Sequence, residues 1–170
     1  MKFFNQTPEE MEEFAEFIKE DIENVQRVIG EVMQKDLDVE FMVHAKAETV
    51  AESAENTDVE EEEIVKTLVF IADDPVAVLC PGDTSVSEEK LGELVDGEPR
   101  MANPQEVREA TGYYIGGVSP FDLDIRVLME KSLLEREKVK PAAGSRVVGV
   151  EIDPEDLKQV SGAETADVSR

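Results

Sequence analysis

The chain has 170 residues, enough for one domain with a hydrophobic core. Its 41 acidic and 17 basic residues give a net charge of −24, which excludes general nucleic-acid binding through a basic surface. The acidity is spread over many segments, so we expect adaptation to high salt, where the screening length falls to roughly 3 Å at 1 M. A solubilising acidic surface is the simpler alternative.

The single cysteine, Cys80, excludes an internal disulfide.

The first predicted element is a helix from Thr7 to about Gln34. Thr7 is the expected N-cap, Pro8 takes the first helical position, and Glu10 completes a capping box. An apolar stripe follows at spacings of three and four: Met11, Phe14, Ile18, Ile22, Val25, Ile29 and Val32. Residues 1–36 are therefore predicted to form an amphipathic extension that either covers the domain or forms a homodimer face.

Strands and short helices are predicted to interleave along the rest of the chain. Expected strands are 37–44, 63–72, 76–80, 125–129 and 146–152. Expected helices are 47–55, 87–95, 103–110 and a short one beginning at Pro154. Asp73-Asp74-Pro75 predicts a hairpin turn. The irregular order favours an α/β fold of the α+β type with a mixed sheet. The acidic run 60–63 is interpreted as a solvated surface, and residues 163–170 as a fraying polar tail.

The most distinctive segment is 111–121, called the glycine loop below. It places Gly112, Gly116, Gly117 and Pro120 among aromatic and β-branched residues. Glycine lets a ligand approach the backbone closely, and proline fixes the exit of a turn. This composition suits a loop that holds a substrate through peptide groups, although a structural turn would also favour glycine.

The glycine loop and the Lys66-Thr67-Leu68 segment together resemble the YbaK / prolyl-tRNA-synthetase-associated editing-domain family. The correspondence runs in order from about residue 44 to residue 167 and includes Pro81-Gly82-Asp83 and Pro154-Glu155-Asp156-Leu157. The resemblance implies a barrel-like mixed sheet surrounded by helices, with the deacylase domain at 37–162. It also implies hydrolysis of the ester in mischarged tRNA.

The resemblance assigns site residues that spacing alone leaves open. Lys66 would otherwise be interpreted as a solvent-facing lysine, since lysine is rarely buried without a partner. In the family this lysine is required for deacylation, and the backbone of Gly116 and Gly117 positions the ester. The implied substrate-binding residues are Val118, Ser119, Pro120, His44, Met42 and Gly112. Met42 stands where related deacylases carry tyrosine, which puts a specificity for cysteine in doubt.

The expected activity is trans-editing of tRNA-Pro carrying Ala, Cys or Ser, with water as the attacking group. The expected partners are the 3′ end of aminoacyl-tRNA and prolyl-tRNA synthetase, without DNA or membrane, in the cytoplasm. No cofactor or metal is expected, because one histidine and one cysteine supply too few soft ligands. The alternative is a non-catalytic module of the same fold that docks a synthetase or another nucleotide-bearing partner.

Overall fold

The computed structural model describes residues 8–43 and 61–170. The helices are α1 (Pro8–Gln34), α2 (Glu88–Leu94), α3 (Pro104–Thr111) and α4 (Pro154–Ser161). The strands are β1 (Glu40–Val43), β2 (Ile64–Ile71), β3 (Pro75–Pro81), β4 (Arg100–Met101), β5 (Arg126–Glu130), β6 (Lys140–Ser145), β7 (Val148–Glu151) and β8 (Glu164–Ala166). His44, the predicted helix 47–55 and the predicted cap at Thr7 lie outside the described residues.

One mixed sheet of eight strands organises the fold, in the order β1-β7-β6-β2-β3-β5-β8, with β4 also paired to β2. The α+β class is thereby confirmed. Within the described residues β1 and β8 end the sheet without pairing to each other, so the predicted barrel-like form is not confirmed. The helix caps behave as predicted: Ser87 caps α2, and Asn103 with Glu106 forms the capping box of α3.

The predicted hairpin forms the centre of the sheet. β2 and β3 pair in antiparallel register from Val65↔Pro81 to Ile71↔Pro75, with Lys66 opposite Cys80. Side chains alternate between the two faces of a strand. Val65 and Val69 therefore join the main core cluster on one face, whereas Phe70 and Cys80 join a second cluster on the other.

Helix α1 belongs to the core. Val25 and Val28 are buried in the main cluster, and the helix packs on β6. The contact is close because Gly144, with φ +93°, has no side chain: a Cβ there would lie 2.6 Å from the carbonyl carbon of Asn24. The last turns of the predicted extension, from Asn24 to Val32, therefore pack into the core of the domain.

The predicted fraying of the C-terminal tail is wrong. β8 extends the sheet parallel to β5, and Val168 is fully buried. The carboxylate of Glu130, itself buried, accepts hydrogen bonds from the amides of Val168 (2.7 Å) and Ser169 (2.8 Å). A buried carboxylate needs such donors, and here the tail supplies them.

The acidic run is also more structured than predicted. Glu61–Glu63 form a short 3₁₀ turn. Glu62 pairs with Arg136 at 3.0 Å, and Glu63 pairs with Lys140, whose side chain is only 10% exposed, at 2.5 Å. These two carboxylates therefore anchor the start of β2 to the segment around β6 instead of forming a purely solvated surface.

Candidate functional site

A gap interrupts one edge of β2. On this edge β2 pairs with β6 at Ile64 and Val65, and with β4 at Phe70 and Ile71. The registers of the described strands include no partner on this edge for residues 66–68, which we call the sheet gap. A gap in a sheet leaves peptide groups available to a ligand.

Thr67 presents its polar groups to the sheet gap. The carbonyl of Val69 accepts a hydrogen bond from the amide of Ala102, so the peptide groups of Val69 point toward β4. In an antiparallel pair every second residue points the same way, and those of Thr67 therefore point into the gap. The Thr67 hydroxyl is buried without a hydrogen-bond partner among the described residues. An unpaired buried hydroxyl is unusual in a folded protein.

Lys66 lies in the same segment, but its side chain takes the other face of the sheet. It is half-buried, sits opposite Cys80, and its ammonium donates to the carbonyl of Thr84 in the turn after β3. The described contacts do not include one between this ammonium and the glycine loop. The loop instead packs against the main-core face through Val118 and Phe121.

Two glycines of the loop allow it to sit on the β6–β7 turn. A Cβ at Gly117 would lie 2.9 Å from Cα of Ser145, a contact that real side chains essentially never make. Gly116 has φ +91° and lies against the guanidinium of Arg146, which would be 3.3 Å from a Cβ. Gly117 thus allows close packing of backbone on backbone, and Gly116 makes room for the Arg146 side chain.

The structure separates the predicted roles of Gly116 and Gly117. The amide of Gly117 donates to the carbonyl of Tyr114 at 3.0 Å, so it is already paired inside the loop. Gly117 is buried, whereas Gly116 and the two residues before it are exposed. The peptide groups open to a ligand are therefore those around Gly116, and the contribution of Gly117 is steric.

The predicted substrate-binding side chains after Gly117 are buried. Val118 joins the main core, Pro120 is buried, and Ser119 is fully buried and accepts a weak hydrogen bond from the amide of Phe121 at 3.4 Å. In the described conformation these side chains support the loop from beneath instead of lining an open surface.

The remaining predicted site residues lie elsewhere. Met42 is buried in β1, opposite Gly149 of β7. Gly112, with φ +78°, ends α3, and a Cβ there would lie 2.8 Å from the guanidinium of Arg27. Gly112 therefore makes room for the arginine that holds the loop. His44 lies outside the described residues.

Sequence reasoning missed Arg27. Its guanidinium donates to the carbonyls of Thr111 (3.0 Å) and Asp122 (2.8 Å), pairs with the Asp122 carboxylate (3.1 Å) and stacks on Tyr113. The hydroxyl of Tyr113 in turn donates to the carbonyl of Phe121 at 2.7 Å. One side chain of α1 thus fixes both ends of the glycine loop. A single arginine outside the apolar stripe carries no sequence signal for such a role.

Strand β6 connects the sheet gap to the glycine loop. It pairs with β2 at Val65↔Pro141, next to Lys66, and reaches Gly117 through Gly144 and Ser145. The five residues from Pro141 to Ser145 span at most about 13 Å. The gap and the loop therefore both lie against β6, the gap beside Pro141 and the loop beside Gly144 and Ser145.

Cys80 is unsuited to nucleophilic catalysis. It is fully buried, and burial raises the pKa of its thiol, although the ammonium of Lys66 acts in the opposite direction. A raised pKa leaves little thiolate, the reactive form. Among the described residues no group of three His, Cys, Asp or Glu side chains is arranged to hold a metal ion. The described helices include none long and apolar enough to cross a membrane.

Comparison with known proteins identifies the family. The family described as "Aminoacyl-tRNA editing domain" matches residues 44–160, a segment that holds both the sheet gap and the glycine loop. The protein YwhH of Bacillus subtilis (strain 168), itself of uncharacterized function, is 36% identical over 117 residues, covering 66% of this chain and 74% of YwhH.

Two further matches are a proline–tRNA ligase and a solved structure whose description mentions prolyl tRNA synthetase. The proline–tRNA ligase of Maridesulfovibrio salexigens is 42% identical over 89 residues, which cover 51% of this chain and only 15% of the ligase. A crystal structure described provisionally as a trans-editing enzyme for prolyl tRNA synthetase matches with a TM-score of 0.77 and 31% identity, covering 86% of this chain and 97% of that one. These matches confirm the resemblance seen in the sequence: the chain belongs to the aminoacyl-tRNA editing domain family.

Proposed function

We propose that the protein is an aminoacyl-tRNA deacylase that acts in trans on mischarged tRNA. The observation that carries the proposal is the editing-domain match over 44–160, which spans Lys66, Thr67 and the loop residues 116–120. The structural neighbour described as a trans-editing enzyme is of similar length, since 97% of it is covered. The long proline–tRNA ligases, of which the chain spans about 15%, carry the related segment as a small part.

The proposed reaction is hydrolysis of the ester between the amino acid and the terminal ribose. Water attacks the carbonyl carbon, the bond from that carbon to the ribose oxygen breaks, and the ribose oxygen takes up a proton. The free amino acid and the uncharged tRNA leave. We expect the exposed peptide groups around Gly116 to donate to the developing oxyanion, a role worth roughly 3–4 kcal/mol per donor in other hydrolases. No side-chain nucleophile is needed.

Lys66 is suited to hold the anionic part of the substrate. Seven other basic side chains of the described residues are in ion pairs: Arg27, Lys35, Lys90, Arg100, Arg126, Arg136 and Lys140. The ammonium of Lys66 instead bonds a neutral carbonyl. A phosphate can draw this flexible side chain away from Thr84, because a charge-assisted hydrogen bond is the stronger one.

The proposed substrates are tRNA-Pro species that carry Ala, Cys or Ser. A pocket that distinguishes amino acids by size gains only about 1–3 kcal/mol per methylene, which is the reason that a separate editing step is useful. The unpaired hydroxyl of Thr67 offers a hydrogen bond to the α-amino group or to the ester of the bound residue.

A panel of mischarged tRNAs tests the proposal. The protein is incubated at high salt with Ala-, Cys-, Ser- and Pro-tRNA-Pro, and release of the amino acid is followed over time. We expect hydrolysis of at least one of the first three, with Pro-tRNA-Pro spared. If none is hydrolysed and the protein still binds the tRNA, the non-catalytic binding module is the correct function.

A further inference from the structure

An aromatic ring stands exposed at the tip of the glycine loop. Tyr114 is 46% exposed and its neighbour Ile115 is 49% exposed, whereas Tyr113 beside them is fully buried. Aromatic residues make up only 5% of the chain, and the chain contains no tryptophan. Among the described side chains it is the one exposed aromatic ring, and its exposure shows that packing of the core does not require it.

An arginine covers one face of the same ring. The guanidinium carbon of Arg108, from the last turn of α3, lies 4.3 Å from the ring centroid of Tyr114. The guanidinium also donates to the carbonyl of Gly112. The Tyr114 ring and the Gly112 carbonyl are both neutral, and the ion pairs found among the described residues do not include Arg108. Its positive charge is thus held in place beside the loop without an acidic partner.

Two basic side chains lie beside the loop although the molecule as a whole is acidic. The net charge is −24, yet Arg108 and Arg146 both lie beside the loop, at Tyr114 and at Gly116. A fixed cation on an aromatic ring, inside an otherwise acidic surface, is complementary to a ligand that has both a flat ring and a phosphate. Single-stranded nucleic acid has both, and its bases stack on aromatic side chains without need for a broad basic surface.

We propose that Tyr114 and Arg108 form a stacking platform for a base of the single-stranded 3′ end of tRNA. The ring takes the base on the face that Arg108 leaves open, and the guanidinium faces the adjoining phosphate. Two residues further along the chain, the exposed peptide groups of Gly116 meet the esterified terminal nucleoside. The platform rests on the proposed function, because it positions the same substrate, but it binds RNA whether or not the ester is cleaved.

Intrinsic tyrosine fluorescence reports on the platform directly. The chain has two tyrosines, of which only Tyr114 is exposed, and no tryptophan obscures their emission. The probe is the trinucleotide CCA, titrated into the full-length protein in molar KCl. We expect saturable quenching in the wild type and none in Tyr114→Leu, where the buried Tyr113 remains as an internal reference. Absence of quenching in the wild type would overturn the platform.

Two variants separate stacking from nonspecific effects. With fluorescently labelled CCA, Tyr114→Leu is expected to weaken binding about fivefold or more, and Tyr114→Phe, which keeps the ring, to bind as the wild type does. Arg108→Gln should weaken binding, whereas Arg126→Gln, an exposed arginine paired with Glu164, should not. Equal loss in Tyr114→Leu and Tyr114→Phe would contradict stacking.

Kinetics distinguish failure of the platform from failure of the proposed function. We expect Tyr114→Leu to raise KM for mischarged tRNA at least about fivefold more than it raises KM for a 3′-aminoacyl-adenosine, which lacks the preceding bases. Deacylation with an unchanged KM in this variant would overturn the platform alone. If CCA quenches the fluorescence but the protein cleaves no ester, the proposed deacylase activity is wrong and the platform stands.

Discussion

The guanidinium carbon of Arg27 lies 4.1 Å from the ring centroid of Tyr113, so α1 and the glycine loop meet through one stacked pair. The arginine belongs to the helix that the sequence predicted as an amphipathic extension. The tyrosine belongs to the loop to which we assign the oxyanion donors. Because the ring is fully buried and its hydroxyl bonds the carbonyl of Phe121, the pair fixes the start and the end of the loop together.

The stability of this arrangement should fall at high pH. Burial raises the pKa of Tyr113 to about 12, although the neighbouring guanidinium of Arg27 lowers it. The unfolded tyrosine titrates near 10, so from about pH 10 upward the unfolded state loses its proton first. The free energy of unfolding should therefore decrease by about 2–3 kcal/mol between pH 10 and 12. Urea unfolding of the wild type and of Tyr113→Phe measures this, and an identical pH profile for both proteins would contradict it.

The buried carboxylate of Glu130 should determine whether the C-terminal strand stays attached. Glu130→Gln removes the charge that strengthens the bonds from the amides of Val168 and Ser169. We expect a loss of about 1–3 kcal/mol and faster hydrogen exchange at those two amides. Glu164→Gln, which removes an exposed partner of Arg126, is the control and should cost under about 1 kcal/mol. Unchanged exchange at both amides would show that Glu130 does not hold the tail.

Gly117, where the glycine loop packs on the β6–β7 turn, should not tolerate an added methyl group. In Gly117→Ala the added Cβ would lie 2.9 Å from Cα of Ser145, so the loop has to move away from the β6–β7 turn. We expect both lower stability and a loss of deacylation. The matched control is Gly30→Ala, where nothing lies within 4 Å of the added Cβ and where the helix should gain up to about 1 kcal/mol. Full activity in Gly117→Ala would show that deacylation does not depend on the close packing of the loop at Gly117.

Salt should stabilise the fold if the acidity is an adaptation to high salt. A net charge of −24 repels itself in dilute buffer, and raising the ionic strength from 0.1 M to 1 M shortens the screening length from about 10 Å to about 3 Å. We expect Tm to rise steadily toward molar KCl, and to rise less in sucrose, which screens no charge. A Tm that is equal in dilute buffer and in molar KCl would remove this interpretation.

The sequence predicted those elements whose signals are local. Ser87 and Asn103 cap helices in the structure as their positions indicated, and the apolar run 64–71 forms the central strand. Strand β6 could not be predicted in this way. Its sequence, with proline, alanines and glycine, has no alternation of β-branched residues, and it is extended because α1, β2 and β7 pack around it.

The candidate site was predicted in part. Lys66 and the glycine loop were singled out, but the sequence could not show that the amide of Gly117 is already paired or that Ser119 is buried. Thr67 was overlooked because a threonine inside a strand is ordinary. Only its position in the sheet gap makes its hydroxyl exceptional. Similarly, the order of the polar tail depends on partners far away in sequence, namely β5, which pairs with β8, and the carboxylate of Glu130.

The rate at which Lys66→Ala hydrolyses mischarged tRNA-Pro tests the central claim most directly. The variant is compared with the wild type, with Lys66→Arg, and with Lys35→Ala, a control at an exposed lysine that pairs with Glu31 just after the end of α1. We predict that kcat/KM falls by about 10²-fold or more in Lys66→Ala, with Tm unchanged, that Lys66→Arg restores it in part, and that Lys35→Ala matches the wild type. Hydrolysis by Lys66→Ala at the wild-type rate would contradict the account.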